Sequence, residues 1–222
     1  MEQGNVVVSQ ERPPDRGPGQ APGPEGFECR GQDLPAAART LAAQAGTAPT
    51  GCLAERRMRP HQRALRTGRD YTSQYPYSVT ACTEGRRPAL LEEKAADVIV
   101  DSVLFLREGG RIRLLGFVVM PDHVHLAFAL KENQSLDRVM KSFKSYTGMR
   151  IGKILGVRPL WQEGYYDHAL RDMKDFESRL NYMHDNPVRK GLAERRECYE
   201  YSTAHPRFSQ LVDWAWVAAI KP

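Results

Sequence analysis

Hydrophobic and polar residues alternate in several stretches of this chain, and a period of two predicts β-strands. The first predicted strand is Tyr75–Cys82. Arg111–Val119 and His123–Leu130 predict two more, joined by the turn-forming run Met120–Asp122. A fourth strand is predicted in Gly164–Arg171.

Apolar residues at intervals of three and four predict three helices. The first, Leu91–Leu106, ends close to a Gly-Gly pair. Ser135 is the expected N-cap of the second helix. The third, Lys174–Asn186, is expected to end before Pro187. The residues expected to face inward are Leu136, Val139, Met140 and Phe143 in the second helix, and Phe176, Leu180 and Met183 in the third.

The predicted elements follow the order β-α-β-β-α-β, with one further helix. This order predicts an α+β fold with a ferredoxin-like antiparallel sheet, helices on one face and the other face free for a site. We expect the domain to span residues 58–192. After Val188 we expect an irregular tail, residues 193–222, with Trp214 and Trp216 docking onto the domain.

The first 57 residues are rich in Pro, Gly and Ala and nearly free of large apolar side chains. Such a segment buries too little apolar surface to offset the entropy of ordering. We therefore expect a disordered tail. The alternative is that Met58 is the true initiator and the upstream residues belong to an over-extended gene; mass spectrometry of the native protein distinguishes the two.

Composition narrows the class of protein. The formal net charge of +5 over 222 residues mildly favours an anionic partner. The four cysteines, at positions 29, 52, 82 and 198, have no CxxC spacing, so neither a disulfide framework nor a zinc ribbon is expected. No apolar stretch approaches the ~20 residues that span a membrane, and no signal-peptide pattern opens the chain. We expect a cytoplasmic protein without a membrane partner.

His123 and His125 lie two positions apart in a predicted strand. Both imidazoles therefore project from one face of the sheet and could bind one divalent metal ion. The alternative is an ordinary hydrogen-bonded pair. The metallo-hydrolase pattern His-x-His-x-Asp-His is excluded, because Ala127 and Phe128 stand where its Asp and His belong.

Tyr182 and Asn186 lie one turn apart on the third predicted helix. The Asn carbonyl oxygen can complete a mixed nitrogen and oxygen site suited to Mg²⁺ or Mn²⁺. Two alternatives remain open at this point. The tyrosine could be core or surface filler, and Asn186, which precedes a proline, could leave the helix.

Basic residues recur every three positions in the second predicted helix, and another follows the third. Arg138, Lys141 and Lys144 occupy the polar face of the second helix, and Arg189 follows the third helix. Together with the run Arg59–Arg69 they predict contacts to a phosphate backbone, although a merely solvated surface is the alternative. The aromatic residues that either stack on bases or belong to the core are Trp161, Tyr165 and Tyr166.

Four blocks of this sequence resemble the HUH-type single-tyrosine transposases, above all the branch associated with repetitive extragenic palindromes (REP) of bacterial genomes. The blocks are Met120–Leu126, Leu160–Tyr165, His168–Arg171 and Tyr182–Leu192. The run Asn-Pro-Val-Arg-x-Gly in the last block is particular to the REP-associated branch. The resemblance covers roughly Arg69 to Leu192, and the first 57 residues have no counterpart.

The resemblance implies a site and a reaction. His123 and His125 would be metal ligands, Asn186 would complete the coordination of Mg²⁺ or Mn²⁺, and Tyr182 would be the nucleophile. The substrate would be single-stranded DNA beside a palindromic hairpin, and cleavage would leave a 5′-phosphotyrosine. Whether the enzyme is a monomer or a homodimer stays open. His168 could orient the substrate, join the metal shell or serve the fold.

Two rival functions remain at the level of sequence. One is a nucleic-acid-binding protein of the same fold without catalysis, although such a domain would need stacking aromatics where the central strand carries His123 and His125. The other is a domesticated relative that keeps the site and has lost mobility.

Overall fold

Four strands form an antiparallel sheet in the computed structural model, which describes residues 75–219. In space the first strand lies between the third and the fourth, and the second strand pairs with the third at one edge. This is the predicted ferredoxin-like order. The expectations for residues 1–57, for Met58 and for Arg59–Arg69 lie outside the described residues. The strands are β1 (Pro76–Cys82), β2 (Ile112–Met120), β3 (His123–Leu130) and β4 (Tyr166–Ala169).

Three long helices connect and cover the strands, and the structure confirms the predicted cap of the second. The Ser135 side chain accepts a hydrogen bond from the Arg138 backbone N–H at 3.4 Å. Asp172 caps the third helix in the same way, accepting from the Asp175 N–H at 2.8 Å. The helices are α1 (Glu93–Glu108), α2 (Leu136–Leu155), α3 (Met173–Arg189) and two short ones, α4 (Pro206–Ser209) and α5 (Trp214–Ala219).

One face of the sheet is covered by α1 and α2 and forms the larger apolar core. Alternate residues of each strand point into it, as the period of two predicts. In β3 these are Val124, Leu126, Phe128 and Leu130, all buried. The apolar stripes of both helices complete this core: Ala95, Ile99, Val103 and Leu106 of α1, and Leu136, Val139, Met140 and Phe143 of α2.

The prediction that the opposite face is free is wrong, because α3 packs against part of it. Phe176 and Met183 of α3 form a second, smaller core with residues of β2 and β3. Gly116 in β2 allows this close approach: a Cβ there would lie 2.7 Å from Leu180 Cδ1 and 2.8 Å from Met183 Cε. The helix covers the β2 and β3 half of this face.

The prediction that α3 ends before Pro187 is wrong. The helix continues to Arg189, with Pro187 buried inside its last turn. A proline in a helix loses one backbone hydrogen bond and crowds the carbonyl four residues earlier, and α3 continues for two residues beyond it. Lys190 N–H donates to the Asn186 carbonyl at 3.0 Å and closes the helix beyond the proline. Asn186 therefore stays helical, which settles the doubt about its position.

The segment after α3 is ordered and packed, which corrects the expectation of an irregular tail. It lies along the free edge of β2, where Val119 N–H donates to the Tyr201 carbonyl and Thr203 N–H to the Phe117 carbonyl. Trp216 packs against the second core, whereas Trp214 is half exposed and its indole N–H donates to the Ser209 carbonyl at 3.1 Å. The segment thereby pairs an edge that would otherwise be open. Within residues 75–219, no helix has the length and apolar character needed to cross a membrane.

Candidate active site

His123 and His125 lie side by side on the face of the sheet that α3 covers. Their Nε2 atoms are 3.0 Å apart and their rings are nearly perpendicular, at 88°. Both side chains are buried, with 4% and 5% of their surface exposed. Two ring nitrogens at this distance share either one proton or one cation. The predicted convergence of the two imidazoles is thus present in the structure.

The far side of each ring is held by a hydrogen bond. His125 Nδ1 lies 2.8 Å from Thr80 Oγ1 on the neighbouring strand β1. His123 Nδ1 lies 2.6 Å from Asp122 Oδ1, and Arg86 binds the other carboxylate oxygen at 3.2 Å. Partners of this kind fix the orientation of metal-binding histidines in proteins. They direct both Nε2 atoms to the same point.

The electrostatic surroundings favour the forms that such a site needs. Burial, together with the neighbouring His123 and Arg86 groups, holds the pKa of His125 well below its ordinary value. A neutral imidazole is the form that binds metal. Burial alone would raise the pKa of Asp122, but its hydrogen bond and charge interaction with His123, with Arg86 adding to them, lower it overall. Asp122 is therefore an ionised partner for His123.

Asn186 of α3 brings a third polar group to the two Nε2 atoms. Its side chain is buried, and Nδ2 lies 3.2 Å from His125 Nε2. The same atom donates to the Tyr182 backbone carbonyl at 3.0 Å. A half-turn of the amide would present Oδ1 instead, the atom that a hard cation prefers. The structure therefore joins Asn186 to the histidine pair.

Tyr182 lies one helical turn before Asn186 and is accessible. Its side chain is 45% exposed, in contrast to the buried histidines. The Arg189 guanidinium lies 5.0 Å from the centre of the tyrosine ring, which is a cation–π contact. An accessible hydroxyl flanked by a cation can reach an anionic substrate.

The residues present fit a divalent cation. Among residues 75–219, no three His, Cys, Asp or Glu side chains form a metal-binding group. The predicted set of His123, His125 and Asn186 instead combines two imidazoles with one amide. Three protein ligands of this kind suit a cation that takes nitrogen and oxygen ligands and leaves positions for substrate oxygens.

The four basic residues predicted to contact DNA do not lie on one surface. Arg138 and Lys141 are exposed on α2, which packs on the face opposite the histidine pair. Lys144 donates to the backbone carbonyls of Gln162, at 2.6 Å, and Gly164. Of the four, only Arg189 lies beside Tyr182.

The sequence predicted either base stacking or a place in the core for three aromatic residues, and two of them belong to the core. Trp161 is buried, and its indole N–H donates to Thr147 Oγ1 at 2.9 Å. Tyr165 is also buried, and its hydroxyl donates to Asp137 Oδ1. Tyr166 is half-buried and pairs with Thr80, which on its other side pairs with His125.

Sequence reasoning missed the residues that support the site. Thr80 faces His125 only because β1 and β3 pair in this register. Asp122 lies beside His123 in the chain, and that adjacency was a usable signal. The structure also gives His168 a partner: its Nε2 lies 2.7 Å from Asp175 Oδ2 at the start of α3.

Comparisons with known proteins identify a family and related chains. Residues 71–186 match the family model described as "Transposase IS200 like". The REP-associated tyrosine transposase of Escherichia coli (strain K12) is 25% identical over 141 residues, which cover 61% of this chain and 82% of the relative. The ISDra2 transposase TnpA of Deinococcus radiodurans is 28% identical over 87 residues, covering 39% and 61% of the two chains.

A solved structure shares the fold. A REP-associated tyrosine transposase bound to a REP hairpin superposes with a TM-score of 0.54. The match covers 69% of this chain and 86% of that one, at 22% sequence identity. At this identity the likeness concerns the arrangement of strands and helices.

Proposed function

The chain belongs to the IS200-like transposase family, and we propose that it cleaves and rejoins single-stranded DNA at palindromic hairpins through a 5′-phosphotyrosine. The motif resemblance to single-tyrosine transposases is confirmed by the family match and by the relatives. A DNA transposase was the expected class of enzyme, and that class is confirmed as well.

One observation carries the proposed reaction. Three polar groups meet at His125 Nε2, which lies 3.0 Å from His123 Nε2 and 3.2 Å from Asn186 Nδ2. The same helix presents an accessible tyrosine one turn from the convergence point. A buried polar cluster beside an exposed nucleophile is the arrangement that phosphoryl transfer requires.

Tyr182 is the proposed nucleophile. Its hydroxyl oxygen forms a bond to the phosphorus of the scissile phosphodiester as the bond from phosphorus to the 3′ oxygen breaks. The tyrosine proton is lost, and the departing 3′ oxygen gains one. The product is a 5′-phosphotyrosyl link and a free 3′-hydroxyl. Since the link conserves the energy of the phosphodiester, a later hydroxyl can reverse the step without ATP.

His123, His125 and Asn186 are the proposed ligands of Mg²⁺ or Mn²⁺. When bound, such a cation neutralises charge that develops on the phosphate oxygens. Thr80 and Asp122 hold the two imidazoles in place through their Nδ1 atoms. Because the rings are buried and fixed, the two imidazoles need little rearrangement on binding.

The proposed substrate follows from the relatives and from charge. The E. coli relative is named for its association with REP sequences, and a structure of similar fold is bound to a REP hairpin. Arg189 beside the tyrosine supplies positive charge at the site. Arg138, Lys141 and Lys144 remain proposed contacts on or near the opposite face.

A covalent adduct tests the proposal. The full chain is incubated with Mg²⁺ or Mn²⁺ and labelled single-stranded oligonucleotides carrying the palindromes that flank its gene. Denaturing gels and mass spectrometry should show a DNA adduct on Tyr182. Tyr182→Phe should remove the adduct and keep DNA binding, whereas Tyr146→Phe, a control at a similarly exposed tyrosine of α2, should keep both.

An adduct that persists in Tyr182→Phe would reassign the nucleophile. Binding without any adduct would favour a protein that binds DNA without cutting it.

A further inference from the structure

One side of α3 carries a continuous row of polar residues. At 100° per residue, the five members of the row fall within about 40° of a single line along the helix. The apolar residues Phe176 and Met183, which seat α3 on the sheet, lie on the neighbouring side. We call this row the polar flank of α3. Its members are Asp175, Arg179, Tyr182, Asn186 and Arg189.

The sheet beneath this flank is polar as well. Thr80 pairs with His125 on one side and with Tyr166 on the other, and Ser78 pairs with His168. Directly paired residues of antiparallel strands share a face, so these side chains continue the histidine face across β1 and β4. We call them the β1–β4 floor. Its members, Ser78, Thr80, Tyr166 and His168, are all partly exposed.

The polar flank contacts this polar face of the sheet at two points, one at the histidine pair and one at the β1–β4 floor. At one end Asn186 Nδ2 lies 3.2 Å from His125 Nε2. At the other end Asp175 Oδ2 lies 2.7 Å from His168 Nε2. The two helix positions are separated by about 16 Å of helical rise. Tyr182 lies between them, so the nucleophile is flanked by one contact on each side.

Asp175 organises the second contact point. It binds His168 through one carboxylate oxygen, and the other oxygen lies 3.7 Å from Arg179 Nε. The side chains of His168 and Arg179 are 43% and 48% exposed. Asp172 already caps α3, so Asp175 is not needed for that purpose. Contacts between side chains this exposed stabilise a fold very little, and the exposed sides of His168 and Arg179 are accessible to a substrate.

We propose that the single strand lies along the polar flank and the β1–β4 floor, and that Arg179 and His168 bind a nucleotide beside the cleaved one. This inference rests on the proposed function and adds a second point of attachment for its substrate. Arg179 contacts the phosphate of that nucleotide, and the Nδ1 atom of His168 makes a hydrogen bond to it. Asp175 is a positioning residue, because it orients both.

Two attachments on opposite sides of Tyr182 would fix the strand on either side of the attacked phosphorus. A phosphodiester held at one end only can swing, whereas one held on both sides keeps its leaving oxygen opposite the attacking hydroxyl. Holding reactants in such an orientation lowers a barrier substantially. The second contact should therefore affect cleavage of a long strand more than cleavage of a short one.

Substrate length tests this inference. Affinities for the flanking palindromes are measured by fluorescence anisotropy in the Tyr182→Phe background, with the single strand either extended or trimmed back to the cleavage site. Arg179→Ala and His168→Ala should each weaken binding of the extended strand by about tenfold and leave binding of the trimmed strand unchanged. Arg179→Ala should also reduce the slope of log affinity against log salt by about 0.7. The control is Lys174→Ala, which removes an exposed cation of α3 outside the polar flank. It should change neither the affinity for the extended strand nor the salt slope.

Asp175→Asn separates positioning from folding. It should give a smaller, length-dependent loss with an unchanged unfolding midpoint, and Asp175→Glu should recover part of it. Equal losses on extended and trimmed strands, or no loss on either, would overturn the inference. If the wild-type chain forms the Tyr182 adduct while these variants show no dependence on length, only the second contact is wrong. If the wild type neither binds nor cuts any palindrome, the proposed function itself fails.

Discussion

The two faces of the sheet are both largely buried, yet they are buried for different reasons. On the face covered by α1 and α2, β3 contributes Val124, Leu126, Phe128 and Leu130, which pack against apolar neighbours. On the other face the same strand contributes His123 and His125, equally inaccessible but hydrogen-bonded to other polar groups. Burial alone therefore does not distinguish a core from a site. The type of partner does, because a buried polar group is stable only when it is bonded.

The second face is also divided within itself. Apart from the histidine pair, its β2 and β3 half is apolar and seats α3 at Gly116, whereas its β1 and β4 half is polar and partly exposed. The helix is thus anchored by one side and exposes its other side above the polar half. His184 and the C-terminal segment strengthen this anchor, since His184 Nε2 lies 2.9 Å from Thr203 Oγ1, which also accepts from the Phe117 N–H. A functional side chain on a rigidly held element keeps its geometry.

The largest effect on stability is expected on the apolar face. Phe128→Ala removes a fully buried ring from the larger core and should lower the free energy of unfolding by about 3–5 kcal/mol. Cleavage per folded molecule should stay close to the wild-type value, because Phe128 points away from the histidine pair. Denaturant titration measures the first quantity, and adduct yield normalised to folded protein measures the second. A loss below about 1 kcal/mol would show that this face contributes less to the fold than its burial indicates.

On the polar face we expect a smaller effect, which concerns activity and metal binding rather than stability. Thr80→Val removes the hydroxyl bonded to His125 Nδ1 while keeping the shape of the side chain. Loss of such a supporting partner typically lowers metal affinity or activity by about 10–100-fold. The rate of adduct formation and divalent-metal titration are the measurements, and Thr80→Ser, which retains the hydroxyl, is the matched control. If the Val variant cleaved as fast as the Ser variant, Thr80 would have no part in orienting His125.

Much of this arrangement follows from local patterns in the sequence. Side chains that alternate along β3 define its two faces, and Pro121 and Asp122 mark the turn before it. The strand was therefore predicted with its observed ends. The placement of Tyr182 and Asn186 one turn apart could also be predicted, because both residues lie on the same helix. The end of α3 was missed because the backbone hydrogen bonds that close the helix come from residues after Pro187, and the proline itself gives no sign of them.

The remaining features depend on tertiary structure. The amphipathic pattern of α2 shows that Arg138 and Lys141 are exposed, but it does not say which face of the sheet the helix covers. The contact between Thr80 and His125 requires the register of β1 and β3. The contact between His168 and Asp175 requires both the register of β4 and the crossing of α3 over the sheet. A single sequence does not contain these distances.

The smallest effect is expected at Lys141, and it tests whether DNA reaches the face opposite the site. Lys141 is exposed on α2, so Lys141→Ala should change stability by less than about 0.5 kcal/mol. If Lys141 contacts a hairpin phosphate, its loss should weaken binding of all sequences alike and reduce the salt slope by about 0.9 for a duplex contact. Lys144→Ala is the matched comparison one turn along: because Lys144 binds two backbone carbonyls, its loss should lower the free energy of unfolding by about 1.5 kcal/mol. An unchanged salt slope in Lys141→Ala would confine the DNA to the α3 side, so that the polar half of that face would have to supply the recognition.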